Sequence, residues 1–164
     1  MMDTIPEPDQ VYLQLRTRII HLEPGEVGLS PSNTAPHVWG VMMETGYKVG
    51  SASLVCLADG TTSLYYSTGG GMLGSAEYTP VSEASKALVS QAEDHLNHFL
   101  SGNEFPLPEV GQVSFILLTF SGLHTAEVPE KKLAAGKHLL SPLYLKAHET
   151  LEQLRLLAEK KRSI

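Results

Sequence analysis

Residues 38–67 read VWGVMMETGYKVGSASLVCLADGTTSLYYS and predict three β-strands, over residues 38–45, 52–58 and 61–67. Asp59-Gly60, between the last two strands, is a strong signal for a type I′ hairpin turn. Apolar side chains occupy both faces of the first two strands, which is typical of strands that are covered on both sides. The segment therefore predicts the centre of an antiparallel sheet with helices packed on both of its faces.

The segments outside this centre complete an α+β layered domain. Their apolar periodicity predicts strands over residues 113–120 and 123–128 and helices over residues 9–21, 79–100 and 141–161. Apolar and polar residues also alternate along residues 9–21 almost as regularly as in a strand, so a strand remains an alternative to the helix there. If the segment is helical, Asp9 is a possible N-cap. The expected architecture is one globular domain, residues 1–164, with a single five-stranded, mainly antiparallel sheet and the element order helix, three strands, helix, two strands, helix.

Length and composition indicate one soluble domain. Hydrophobic residues make up 42% of the 164-residue chain, which is enough to build a core. No stretch approaches the roughly 18 consecutive apolar residues that a membrane span needs, and residues 1–10 lack the pattern of a signal peptide. Cys56 is the only cysteine, so an intrachain disulfide cannot form. These features predict a cytoplasmic protein that does not act at a membrane.

The net charge of −6 conceals an asymmetry along the chain. Residues 1–130 carry 4 Lys and Arg against 15 Asp and Glu, or −11, whereas residues 131–164 carry 8 against 3, or +5. Two explanations stay open, a basic surface for an acidic partner and a terminal helix that neutralises an acidic body. Nucleic acid is not an expected partner, because the chain is acidic overall and aromatic residues do not interleave with the lysines.

The most motif-like segment is residues 67–74, STGGGMLG, in which Gly69, Gly71 and Gly74 have the spacing of a dinucleotide-binding loop. Two features of such a loop are missing, because the preceding strand belongs to an antiparallel meander and the next helix begins several residues later. The glycines, Gly70 included, are candidate ligand-binding residues whose amides a small molecule or partner could approach. The alternative is a bulge or wide turn that needs positive φ. No cofactor is predicted.

Two histidines near the end of the second predicted helix form a weak candidate metal site. His95 and His98 are three residues apart and can share a helix surface, and Asp94 with His98 makes a second possible pair. A metal would need a further ligand that the sequence does not indicate. The preferred interpretation is that His95 is a core histidine, hydrogen-bonded through one ring nitrogen.

Three lysines before the last helix, Lys131, Lys132 and Lys137, are the candidate anion-binding residues, since a helix N-terminus beside lysines favours an anion. A catalytic residue is not predicted. Cys56 is expected to be buried as a thiol, and Glu44 and Asp59, which flank predicted strands, are expected to be solvated.

Four apolar residues lie outside the main apolar faces of the predicted terminal helices. They are Leu13 and Ile20 on the first helix and Leu145 and Leu156 on the last. They predict that these helices pack against each other or against a second copy, and a homodimer is the preferred hypothesis.

Two functions from different classes follow. The first is a non-enzymatic protein-interaction or adaptor domain. The second is a domain or enzyme that binds a small molecule or anion with the glycine segment, together with His95 or His124. In outline, a five-stranded sheet between short helices resembles small profilin-like or roadblock-like domains, which implies an interaction or sensory role, although a fold does not determine a function.

Overall fold

The computed structural model describes residues 6–74 and 77–162, and it shows an α+β fold built on one antiparallel sheet. The helices are α1 (Gln10–Ile20), α2 (Thr79–His95), α3 (Glu130–Ala134) and α4 (Ser141–Arg162). The strands are β1 (Val38–Tyr47), β2 (Gly50–Leu57), β3 (Thr62–Tyr66), β4 (Gly71–Gly74), β5 (Leu100–Ser101), β6 (Gln112–Thr119) and β7 (Gly122–Pro129). Short 3-10 turns occupy Pro24–Val27 and Leu96–His98.

The prediction of five strands was wrong. In the described part of the chain the sheet has seven strands in the order β4-β3-β2-β1-β6-β7-β5, so the predicted element order was wrong as well. The two additional strands, β4 and β5, are the edges of the sheet. Their sequences, GMLG and LS, carry little β-propensity, and each is a strand because it pairs with a longer neighbour, β3 or β7.

Two hydrophobic clusters cover the two faces of the sheet. The larger cluster packs α2 and α4 on side chains such as Val41, Leu54 and Phe115. On the opposite face, Trp39 and Met42 belong to a smaller cluster that also contains apolar residues of α1 and of the irregular segments: Ile19, Ile20, Leu22, Val27, Leu29 and Phe105. Helices therefore lie on both faces, although irregular chain covers part of the α1 face.

Local signals account for where several elements begin and turn. Asp9 caps α1, as predicted, and its Oδ1 accepts hydrogen bonds from the amides of Val11 at 2.9 Å and Tyr12 at 3.3 Å. The predicted hairpin between β2 and β3 is present, but it is not a type I′ turn. In this turn only Gly60 has positive φ, at 94°, whereas type I′ needs positive φ at both central residues.

The last helix, α4, is 22 residues long, and its outer side is charged. Lys146 pairs with Glu149, and Arg155 pairs with Glu152 and Glu159. Within residues 6–74 and 77–162, none of the helices combines the length and the apolar character that crossing a membrane requires.

Candidate functional site

A cleft of about 330 Å³ lies between the start of α1 and the β3–β4 hairpin. Most of its lining is apolar or aromatic and comes from Val11, Leu15, Tyr65, Tyr66, Met72 and Leu73. Two of these side chains are unusually open for their type, because Leu73 is 72% exposed and Val11 is 60% exposed. The cleft therefore opens onto an apolar rim at the β4 edge of the sheet.

The glycine segment forms the turn of the β3–β4 hairpin. Gly69 and Gly70 have φ of 105° and 77°, and the amide of Gly69 donates to Tyr66 O at 3.0 Å. A Cβ on Gly71 would contact the carbonyl oxygen of Leu64, so a side chain has no room there. The segment therefore forms a turn that needs positive φ, which was the alternative to a ligand-binding loop. Strand β4 follows the glycines directly, so the segment lacks the strand–loop–helix context of a dinucleotide site.

Of the four glycines proposed as ligand-binding, Gly70 and Gly71 line the cleft. Gly74 is the last residue of β4, and Gly69 lies in the turn, close to the Asp9 carboxylate. The amide of Asp9 donates to Ser67 O at 2.7 Å, which ties the start of α1 to the hairpin. The two walls of the cleft are thus joined at one end.

A buried polar network holds α1 on the sheet behind the cleft. Arg16 forms two hydrogen bonds of 2.8 Å with the carboxylate of Glu44, and a third bond from its guanidinium goes to Phe105 O. Ser53 Oγ donates to the same carboxylate at 2.6 Å, and the Tyr12 hydroxyl lies 2.7 Å from Ser53 Oγ. Burial, followed by the nearby Glu44 charge, raises the pKa of Tyr12. One wall of the cleft is therefore positioned by hydrogen bonds as well as by apolar packing.

The expectation that Glu44 is solvated was wrong, because its side chain has no exposed surface. Alternation along β1 places Glu44 on the same face as Met42, beneath α1. Arg16 and Glu44 are 28 residues apart, so no local spacing in the sequence indicated their pairing. Asp59 is exposed, as expected.

The three lysines do not join the glycine segment. Lys131 and Lys132 lie on α3 and Lys137 follows it, and all three are exposed. Helix α3 follows β7, and four strands lie between β7 and β4 in the sheet. The glycine segment and the three lysines, which were predicted as two candidate sites, therefore lie on separate surfaces.

The histidine pair is partly packed. The ring centroids of His95 and His98 are 5.9 Å apart, and His95 Nε2 lies 3.0 Å from Gln91 Nε2. Burial lowers the pKa of His95. Among residues 6–74 and 77–162, the His, Cys, Asp and Glu side chains do not form a group of three that could hold a metal ion.

Cys56 is fully buried between the sheet and the α2–α4 layer. Burial raises the pKa of its thiol to about 12, partly offset by hydrogen bonds with Ser85 and Thr150. The thiol therefore stays protonated at neutral pH.

The four candidate interface residues do not share one surface. Helix α1, with Leu13 and Ile20, lies on the opposite face of the sheet from α4, so the terminal helices of one chain do not pack together. Leu145 and Leu156 are exposed, whereas Leu13 and Ile20 are half-buried.

Comparison with known proteins gave no relative. Protein-family models, curated proteins and solved structures all returned no match to the chain. The cleft and its surroundings are therefore interpreted from their own chemistry.

Proposed function

We propose that this chain is a non-enzymatic protein-interaction domain that holds its partner at the cleft between α1 and the β3–β4 hairpin. The observation that carries the proposal is the apolar cleft opening beside the exposed Leu73 and Val11 at an edge strand. Contiguous exposed apolar surface of this kind is typical of interaction sites in soluble domains.

The construction of the cleft walls supports the same function. The Arg16–Glu44 pair holds α1 on the sheet, and the bond from Asp9 to Ser67 O joins α1 to the hairpin. A site that is already formed before binding avoids part of the entropy cost of ordering loops and side chains. A partner side chain could enter the cleft without a large rearrangement of the backbone.

The test is a quantitative native pull-down from cells that express the chain. We expect a protein that is captured by the parent chain to be lost with Leu73→Asp, because a charge on the rim opposes burial of an apolar partner. Leu139→Asp is the matched control, since it places the same charge at an exposed leucine that does not line the cleft. A partner that is captured equally by all three chains would contradict binding at the cleft.

A small apolar ligand is the second candidate function. It is favoured by the size of the cleft, because 330 Å³ lies at the lower end of the range of small-molecule pockets, roughly 300–1,000 Å³. The apolar lining suits such a ligand better than an anion. Native mass spectrometry of the purified chain tests this: a copurified compound that disappears with Leu73→Asp would favour the small-molecule function over a protein partner.

Self-association through the terminal helices stays a prediction. The outer leucines of α4, Leu145 and Leu156, are the exposed pair that such a dimer would use. The cleft and these leucines lie on different faces of the sheet, so a dimer through α4 would leave the cleft accessible.

A further inference from the structure

The backbone of β4 has hydrogen-bonding groups on the outer edge of the sheet. The amide of Tyr66 donates to Gly70 O at 3.1 Å, and bonded positions alternate along an antiparallel ladder. Leu64 and Met72, two residues further along both strands, are therefore the next bonded pair. The N–H and C=O groups of Gly71 and Leu73 consequently point away from β3. No strand in the described part of the chain pairs with that side of β4.

The side chains of β4 do not protect this edge. Natural edge strands are commonly blocked by charged residues or proline, whereas β4 consists of glycine, methionine and leucine. The opposite edge of the sheet, β5, is only two residues long. Of the two edges, β4 is therefore the better template for another strand.

We propose that the partner binds as an extended strand that pairs with Gly71 and Leu73 and places an apolar side chain in the cleft. This inference rests on the proposed function and specifies the conformation and chemistry of its partner. Alternate side chains of a strand point to the same face. A strand on β4 would therefore carry every second side chain on the α1 face, where Leu73 and Tyr65 line the cleft.

Charge specifies the partner further. Among the described residues that line the cleft, the charged one is Asp9, and the exposed Glu7 lies two residues before it. The cation nearest to them along α1, Arg16, is already bound to Glu44. The site is therefore complementary to a strand that carries Lys or Arg beside its apolar anchor. A second copy of this chain would offer β4 itself, which has no basic residue, and so fits less well.

The test starts with a displayed library of random ten-residue peptides selected on the full chain. We expect the enriched peptides to alternate, with an apolar residue and a Lys or Arg on the same face. A synthetic peptide of the enriched sequence is then N-methylated at single positions, and its affinity is measured by fluorescence anisotropy. Methylation at every second position should weaken binding by about tenfold, since each removes a backbone hydrogen bond and adds bulk at the edge, while the intervening positions should tolerate it.

Two protein variants test the site and its charge. Asp9→Asn removes the charge but leaves a residue that caps helices equally well, so α1 should stay folded. It should weaken binding of the basic peptide by about threefold and reduce the difference in affinity between that peptide and its Lys→Gln analogue, to which Glu7 still contributes. Leu73→Asp should abolish binding, and Leu139→Asp should leave it unchanged.

The failures of the two proposals are distinguishable. A peptide that binds at the cleft and tolerates N-methylation at every position would overturn strand pairing, while the interaction function would stand. If no peptide is enriched and the chain self-associates in a way that Leu73→Asp abolishes, the edge pairs with a second copy. That result would overturn the proposal of a basic partner strand. Capture of partners that is insensitive to Leu73→Asp would contradict the interaction site itself. The methylation scan uses the parent chain, so poor folding of a variant cannot explain its outcome.

Discussion

Glu44 lies fully buried beneath α1, where Arg16 and Ser53 satisfy its carboxylate. Burying an ion pair costs desolvation energy, and this cost is offset only when the geometry is good and the remaining polar atoms have partners. Here the two Arg16 bonds are 2.8 Å long and the guanidinium also reaches Phe105 O. The pair joins α1, β1 and the segment before β6, so the position of one cleft wall depends on it.

Glu44→Gln should lower the free energy of unfolding by about 3–5 kcal/mol, because it leaves the Arg16 charge nearly buried without its partner. Urea denaturation measures the loss. Glu149→Gln is the matched control, since it breaks the exposed pair with Lys146 and should cost less than about 1 kcal/mol. Equal losses of unfolding free energy in the two variants would show that the buried pair contributes no more to stability than the exposed pair.

Cys56 should be unreactive in the native chain. Its pKa of about 12 and its burial leave roughly one thiolate in 10⁴ at pH 8, and reagents cannot reach it. Ellman's reagent should label the thiol only after unfolding in guanidinium. Thr68→Cys, in the exposed hairpin turn, provides a reactive thiol for comparison. Native labelling of Cys56 at the rate of the unfolded chain would contradict its place in the core.

At the scale of the elements, the β3–β4 hairpin depends on glycine in two ways. Positive φ at Gly69 and Gly70 allows the turn, and the missing side chain at Gly71 allows β4 to approach β3. The hairpin supplies the outer wall of the cleft and its edge backbone. Both proposals therefore depend on this local geometry.

Gly71→Ala should destabilise the hairpin by about 1–3 kcal/mol, because its Cβ would meet the carbonyl oxygen of Leu64. Amide hydrogen exchange at Met72 should report the loss of pairing with β3. Gly25→Ala is the control, since its Cβ would meet nothing within 4 Å. Unchanged protection at Met72 in the Gly71 variant would disprove the close approach of the strands.

Two partly buried histidines, one on α4 and one on α2, should make the free energy of unfolding decrease in mild acid. Burial lowers the pKa of His148, although the Glu130 charge opposes the shift, and burial likewise lowers the pKa of His95 on α2. The unfolded chain, with a histidine pKa of about 6.5, then binds more protons than the native chain, so stability decreases as the pH falls below that value.

The measurement is urea denaturation at pH 7, 6 and 5. We expect His148→Gln to reduce the loss of unfolding free energy over this range, and the double variant with His95→Gln to reduce it further. The largest contribution of one group is about 1.4 kcal/mol per pH unit. Identical slopes for the parent and the double variant would show that neither ring is held neutral by the fold.

At the scale of the whole molecule, α4 carries the two exposed leucines of the four apolar residues on which the dimer prediction rests. Leu145 and Leu156 are eleven residues apart, about three turns, and therefore share one side of the helix. Glu149 and Glu152 lie between them along the same helix. Any self-association through this side must accommodate those charges.

Sedimentation equilibrium at micromolar concentration tests the dimer. We expect the parent chain to sediment as a dimer and the Leu145→Glu, Leu156→Glu double variant to sediment as a monomer. Leu139→Glu, at an exposed leucine before α4, should leave the dimer intact. A monomeric parent chain would rule out self-association at this concentration.

Much of the fold was predictable because its signals are local. The apolar runs in residues 38–67, the turn residues between them and the cap at Asp9 each act through neighbouring residues. The five longer strands were therefore found, as were the three longer helices. The edge strands β4 and β5 were missed, since each exists through pairing with a neighbour and carries no local pattern.

The candidate site was only partly predictable. Residues 69–74 were singled out by their glycines, and the structure places Gly70 and Gly71 at the cleft. Neither Val11 nor Leu73 carried a site signal, because an apolar residue predicts burial and not an open rim. The lysines, predicted as a separate anion-binding group, follow β7, which four strands separate from β4.

By itself, the sequence determined the α+β class, the doubly covered central strands and the buried Cys56, because periodicity and turn residues act over a few positions. Only the tertiary structure decided that Arg16 neutralises Glu44 and that α1 meets the hairpin to form a cleft. Arg16 and Glu44 are 28 residues apart, and the Tyr12 hydroxyl bonds to Ser53, 41 residues away. Such pairings arise when strands align across the sheet, and no local pattern encodes them.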